Sequence, residues 1–122
     1  MSEQQPEQET GLEGHTPVVR RVAPRHRYEI LVDDQRAGLT AYRDRDDRRV
    51  FFHTEIDDAY AGQGLASTLV EQALTDVRAS GMRIVPVCPY VAKFLKKHGE
   101  FADITDAVTP EIVQWLDTQL GR

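Results

Sequence analysis

The stretch DDAYAGQGLASTLVEQAL, residues 57–74, decides how this chain is read. Gly62, Gly64, Ala66 and Ser67 crowd together, and an amphipathic helix starts directly behind them. Small residues at a helix start cost backbone entropy, so their use there needs a reason. Leu65, Leu69, Ala73 and Val77 recur at four-residue spacing, flanked by Ala66, Val70 and Leu74. That spacing predicts a helix from about Gly64 to Ser80 with one buried stripe. Gly81 suits its end, because glycine accepts the left-handed conformation that closes a helix.

Strands are predicted on both sides. VFFHTEI (50–56) is strongly β-prone. MRIVPVC (82–88) is an almost continuous apolar run, as in a strand buried on both faces of a parallel pair. Pro86 has no amide to give a ladder, so that strand should be an edge or break its pairing there. Further upstream, Tyr28, Ile30 and Val32 alternate in HRYEILVD (26–33), DDQ makes a turn, and RAGLTAYR (36–43) closes a hairpin. DRDDR is a second polar turn. Downstream, PYVAKFLKKHG reads as a helix with Pro89 in its first turn and Gly99 at its end. TPEIVQWLDTQL reads as another, capped by Thr109 with Pro110 at the first position. The expected fold class is α/β (α+β). It is a mixed sheet with three antiparallel N-terminal strands, one βαβ crossover and two C-terminal helices.

A chain of 122 residues, 40% hydrophobic and 29% charged, fits one domain. The net charge of −5 is uneven, because residues 1–17 hold Glu3, Glu7, Glu9 and Glu13 and no Lys or Arg. Residues 1–24 are expected to be a disordered acidic tail and 25–122 the ordered domain. The remainder is close to neutral, which argues against a nucleic acid partner. Arg20, Arg21, Arg25 and Arg27 are expected to form a solvated approach to the first strand. No apolar run is long enough to span a bilayer, and the N-terminus has no secretory pattern, so no membrane partner is expected. Cys88 is the sole cysteine, which excludes an internal disulfide and points to a reducing, cytoplasmic setting. His15, His26, His53 and His98 lack paired spacing, so no metal site is expected. Oligomeric state stays open.

The glycine turn lies where ligands bind such sheets, outside the carboxyl ends of strands. A helix start offers unpaired N–H groups and the positive end of a dipole, which suits a pyrophosphate. Bare Cα positions at Gly62 and Gly64 would let oxygens reach the amides, and Ser67 and Thr68 add hydroxyls. The plain alternative is a turn that only packs a helix tightly on a sheet. The stretch is no Walker A loop, and Ser67 stands where a dinucleotide fingerprint needs its third glycine.

Residues 54–101 resemble the acetyl-CoA-binding half of the GNAT superfamily of N-acetyltransferases. There a Gln/Arg-x-x-Gly-x-Gly/Ala turn opens a helix and cradles the coenzyme. Gly64 and Ala66 match its last two positions, while Ala61 departs from the usual Gln or Arg; a cradle of amides tolerates that. The resemblance covers roughly residues 26–103. It is closer to a shortened single-domain branch, through HTEI (53–56) and CPYV (88–91). Before residue 50 there is no room for the helical acceptor-binding segment of full-sized members. The resemblance implies an acetyl-CoA-dependent N-acetyltransferase, with acetyl-CoA or coenzyme A as cofactor and a small-molecule or peptide amine as acceptor. It places Ile56, Asp57, Ala61, Gly62, Gln63, Gly64, Leu65, Ala66, Ser67 and Lys93 at the cofactor, with amides near 55–57 polarising the carbonyl.

Acetyl transfer to an amine needs a proton acceptor, a polarised carbonyl and a stabilised thiolate. His53 and Glu55, two apart in a strand, share a face, and either can take the proton, directly or through water. Their alternatives are a cross-strand hydrogen bond and a solvated carboxylate. Cys88 closes the neighbouring strand and is a candidate nucleophile, or a small lining group. The family's usual tyrosine acid is missing, since Leu95 stands in its place; Tyr90 is the nearest substitute. Lys93, Lys96 and Lys97 give the following helix a basic side, for coenzyme phosphates or merely for water. A coenzyme-binding module with little or no catalytic activity is the competing function, and a small interaction domain a third.

Overall fold

The computed structural model describes residues 16–122. A five-stranded sheet runs in the order β1 (Val18–Val22), β2 (Arg27–Val32), β3 (Gln35–Arg45), β4 (Arg48–Ile56), β5 (Arg83–Pro86). The first four are joined as antiparallel neighbours, and β4–β5 is parallel. Helix α1 (Leu65–Ala79) is the crossover between β4 and β5, followed by α2 (Pro89–Lys97) and α3 (Pro110–Leu120).

One expectation needs correcting. β1 and the start of the short 3-10 turn Ala23–Arg25 lie inside the segment 1–24 expected to be disordered, so there are four antiparallel strands rather than three. VVRRV shows no clean apolar alternation, because β1 is an edge strand. It is held by its ladder to β2, from Val18↔Leu31 to Val22↔Arg27. Residues 1–15 lie outside the described residues. The arginine cluster is also more engaged than expected. Arg20 and Arg27 both pair with the buried Glu29, at 3.4 and 2.8 Å, and Arg21 meets Asp76 of α1.

Local chemistry explains the hairpins. Asp33 and Asp34 both take positive φ (52° and 66°), which a two-residue loop between twisted strands requires and aspartate tolerates. Gly38 is needed for a different reason. A Cβ there would run into the Ile56 side chain and lie 2.6 Å from the Glu55 carbonyl, so any side chain would push β3 from β4.

Two cores form on opposite faces. α1 and α2 bury Leu69, Ala73, Leu74, Val91 and Phe94 against Tyr28, Ile30, Tyr42, Phe51 and Ile84. α3 buries Ile112 and Leu116 against Val50 and Val85 on the other face. β5 therefore sends Ile84 to one core and Val85 to the other, as its continuous apolar run implies. β5 is an edge, and its ladder ends at Pro86. α2 ends at Lys97, and Gly99 opens a 3-10 segment instead of capping the helix. No helix among the described residues is long and apolar enough to cross a membrane.

Candidate active site

The site forms where β4 and β5 part. Their ladder runs only from Arg48↔Arg83 to Phe51↔Pro86, and the last link is Cys88 N–H to the Phe51 carbonyl at 2.8 Å. β4 continues to Ile56 paired with β3 alone. Its upper half thus presents an edge without a strand partner, beside the first turns of α1 and α2. A bulge helps set this up. Ala41 faces His53 while Tyr42 faces Phe51, leaving Phe52 as an extra residue in β4; such insertions bend a strand and increase its twist.

The glycine turn closes this crevice. Gly62 and Gly64 hold φ of 81° and 74°, so glycine is required there by conformation. A Cβ at either position would meet nothing within 4 Å, which leaves the turn open to an approaching group. Gly64 occupies the N-cap of α1, and no side chain caps the helix. The first amide bonded within it is that of Thr68, to the Gly64 carbonyl at 3.3 Å. The N–H groups of residues 62–67 have no hydrogen-bond partner among the described residues. Two expected donors drop out. The Asp57 amide is bonded to the Ala37 carbonyl at 2.8 Å and the Ala61 amide to the Asp58 carbonyl at 3.2 Å. Ile56 and Leu65 turn their side chains to the core, while Gln63 is exposed.

A groove of about 340 Å³ continues from this turn between α1 and α2, lined by Ser67, Tyr90, Lys93, Phe94, Lys97 and His98. Ser67 thus belongs both to the run of free amides and to the groove wall. Tyr90 is part of the groove, and burial of its ring raises its pKa, keeping the hydroxyl protonated. The ring of His98 stacks on Phe94 with centroids 3.9 Å apart.

His53 and Glu55 come together as expected: Nε2 lies 2.8 Å from Oε1, and both are about half exposed. Thr54, between them, points to the other face. Its hydroxyl lies 2.9 Å from that of Thr40 and 3.4 Å from the Cys88 sulfur. Cys88 is 3% exposed and belongs to the α1/α2 core. β4 therefore divides the site, with Thr54 and Cys88 on the α1/α2 side and His53 and Glu55 on the α3 side. Thr40 and Thr54 escaped the sequence reading. The one available signal was a threonine in each of two adjacent strands, and only the register shows that they meet.

Comparison with known proteins bears on the family and the fold. The family model described as GCN5-related N-acetyl-transferase matches residues 27–104. The bovine (Bos taurus) protein NATD1 is 41% identical over 46 residues, which span 38% of this chain and 41% of NATD1; the match reaches less than half of that protein. A GCN5-like protein from Staphylococcus aureus, solved by NMR, superposes with a TM-score of 0.57 over 76% of this chain and 91% of its own, at 18% identity. That likeness concerns the fold. With the model matched from β2 through the segment after α2, the chain belongs to the GCN5-related N-acetyltransferase family, whose members transfer acetyl groups from acetyl-CoA.

Proposed function

We propose that this chain is an N-acetyltransferase that carries acetyl-CoA on the α1/α2 side of β4 and receives its amine from the α3 side. The observation that carries the reading is the run of unengaged amides at residues 62–67, opening onto the bare upper edge of β4. Such a run at the positive end of a helix suits a diphosphate. Gly62, Gln63, Gly64, Leu65, Ala66 and Ser67 supply its donors, and Lys93 lies on the adjoining groove. Ile56, Asp57 and Ala61 shape the turn. When bound, acetyl-CoA supplies a thioester carbonyl open to attack.

The chain's own part is proton management. His53 Nε2 lies 2.8 Å from Glu55 Oε1, and in the tautomer that donates Nε2–H to the carboxylate the imidazole lone pair sits on Nδ1. His53 then takes the amine proton as the new C–N bond forms, and Glu55 stabilises the imidazolium, so the two act as one base. Tyr90, whose hydroxyl stays protonated, would give its proton to the leaving thiolate, with water as the alternative donor. Cys88 reads as a lining group. It is 3% exposed, and among the described residues it is bonded to the Thr54 hydroxyl and, through its backbone, to Phe51 and Ala92. That favours direct transfer over an acetyl-cysteine step. The acceptor is a small-molecule or peptide amine. A reducing compartment such as the cytoplasm fits an unpaired buried thiol.

The test is thiol release from acetyl-CoA against a panel of amines, alongside calorimetry with coenzyme A. His53→Gln and Glu55→Gln should each lower turnover by about a hundredfold, with coenzyme affinity unchanged. A chain that binds coenzyme A and acetylates nothing would be a binding module. Intact mass with an acetyl group on Cys88, lost together with turnover in Cys88→Ala, would overturn direct transfer.

A further inference from the structure

We infer that Lys93 and Lys97 form a seat for the ribose 3′-phosphate of the coenzyme, so that the chain distinguishes coenzyme A from its dephosphorylated form. The chain has only three lysines, Lys93, Lys96 and Lys97, all on α2. The other twelve cations are arginines, and most are engaged: Arg49 with Asp44, Arg78 with Asp103, Arg83 with Asp106, Arg45 with Glu111. None of the lysines has a hydrogen bond or ion pair among the described residues. Unpaired cations gathered on one short helix are a charge surplus with no use inside the fold.

Their placement separates them. Lys93 and Lys97 are one helical turn apart, about 6 Å along the axis, and both line the groove that begins at Ser67. Lys96 faces the other way, into an apolar groove of about 430 Å³ beside Asp106 and Val108. Two ammonium groups on flexible stems converge well on a phosphomonoester, which carries close to two negative charges at neutral pH. A diphosphate held by the amides of 62–67 would leave the adjoining nucleotide within reach of this groove, because Ser67 belongs to both.

The inference rests on the coenzyme reading above, and the experiment separates their failures. Calorimetry at fixed ionic strength compares coenzyme A with dephospho-coenzyme A. The wild-type chain should prefer coenzyme A by about tenfold or more, and Lys93→Ala and Lys97→Ala should each weaken coenzyme A by about five- to tenfold. Neither should alter dephospho-coenzyme A affinity, and the double variant should bind both ligands alike. Lys96→Ala, on the far face of the same helix, should leave both affinities unchanged. Equal wild-type affinity for the two ligands overturns the phosphate seat while the coenzyme reading stands. So does a Lys93→Ala loss shared by both ligands, or a Lys96→Ala loss equal to that of Lys93→Ala. Wild-type protein that binds neither ligand overturns both readings.

Discussion

The two ends of β4 are built on opposite rules. At its start, Arg49 is 4% exposed. It donates to both Asp44 oxygens at 2.8 and 3.0 Å and to the Tyr28 hydroxyl at 2.6 Å. Its guanidinium also lies over the Tyr42 ring, 4.4 Å from the centroid. The Tyr28 hydroxyl in turn donates to Asp76 of α1 at 2.6 Å. Arg49, Asp44, Tyr28 and Asp76 are spent on one another, and the network pins α1 to the sheet. At the far end of β4 the rule is reversed: the side chains of His53 and Glu55 pair with each other, and the amides of residues 62–67 have no partner among the described residues. The helix starts repeat the contrast. In α3 the Thr109 hydroxyl accepts from the Ile112 amide at 3.2 Å, whereas Gly64 gives α1 no cap at all. A fold able to cap one helix leaves the other bare where an anion would complete it. One end holds the fold, and the other leaves its donors unengaged.

Variants that cross this divide test it, beginning with the largest effect. Arg49→Met removes the central cation and leaves the buried Tyr28 hydroxyl and the half-exposed Asp44 carboxylate without their donor. Unfolding in urea should show a loss of about 3 kcal/mol, while the remaining folded protein keeps its coenzyme affinity. A loss below about 1 kcal/mol would mean the network is decoration. Gly64→Glu should do the reverse. It should weaken coenzyme A by about a hundredfold, roughly 2.7 kcal/mol, against a stability loss of about 1 kcal/mol for a side chain at positive φ. Gly64→Ala, with the same backbone strain and no charge, should retain most of the binding. Tyr28→Phe should cost about 1–2 kcal/mol for the two hydrogen bonds it deletes.

The same tyrosine sets the alkaline limb. Burial, reinforced by the hydrogen bond to Asp76, holds its pKa well above the ordinary tyrosine value. The folded state thus keeps a proton that the unfolded chain loses near pH 10. That stability is whole below pH 10 and drains away above it, so melting temperatures should fall from pH 10 upward and Tyr28→Phe should flatten the fall. The smallest effect is expected on the acid side. The hydrogen bonds from Arg83 depress the Asp106 carboxyl. Burial would raise Glu29, but its bonds to Arg27 and Arg20 outweigh that and lower it. Their contributions are present above about pH 4 and lost as pH falls below it. Asp106→Asn should reduce the acid slope only slightly, because the pair is partly exposed.

Residue order alone carried most of the architecture. The apolar periods of β2 and α1, the β-prone residues of β4, the continuous run of β5, and Thr109-Pro110 at the start of α3 are local signals, and local sterics and capping enforce them. It also carried the glycine turn, because positive φ at Gly62 and Gly64 is a backbone demand that few other residues meet. Tertiary structure alone decided β1, whose VVRRV becomes a strand only through the ladder beside it. It alone brought together Arg49, Tyr28 and Asp76, which lie 21 and 48 positions apart in the chain. It set Lys93 and Lys97 against Ser67 while turning Lys96 away. It joined Thr40, Thr54 and Cys88 behind the upper edge of β4. Periodicity reports which side of an element is apolar. Which polar groups meet, and which are left without a partner, depends on register and on how helices dock, and those are fixed only when distant segments pack.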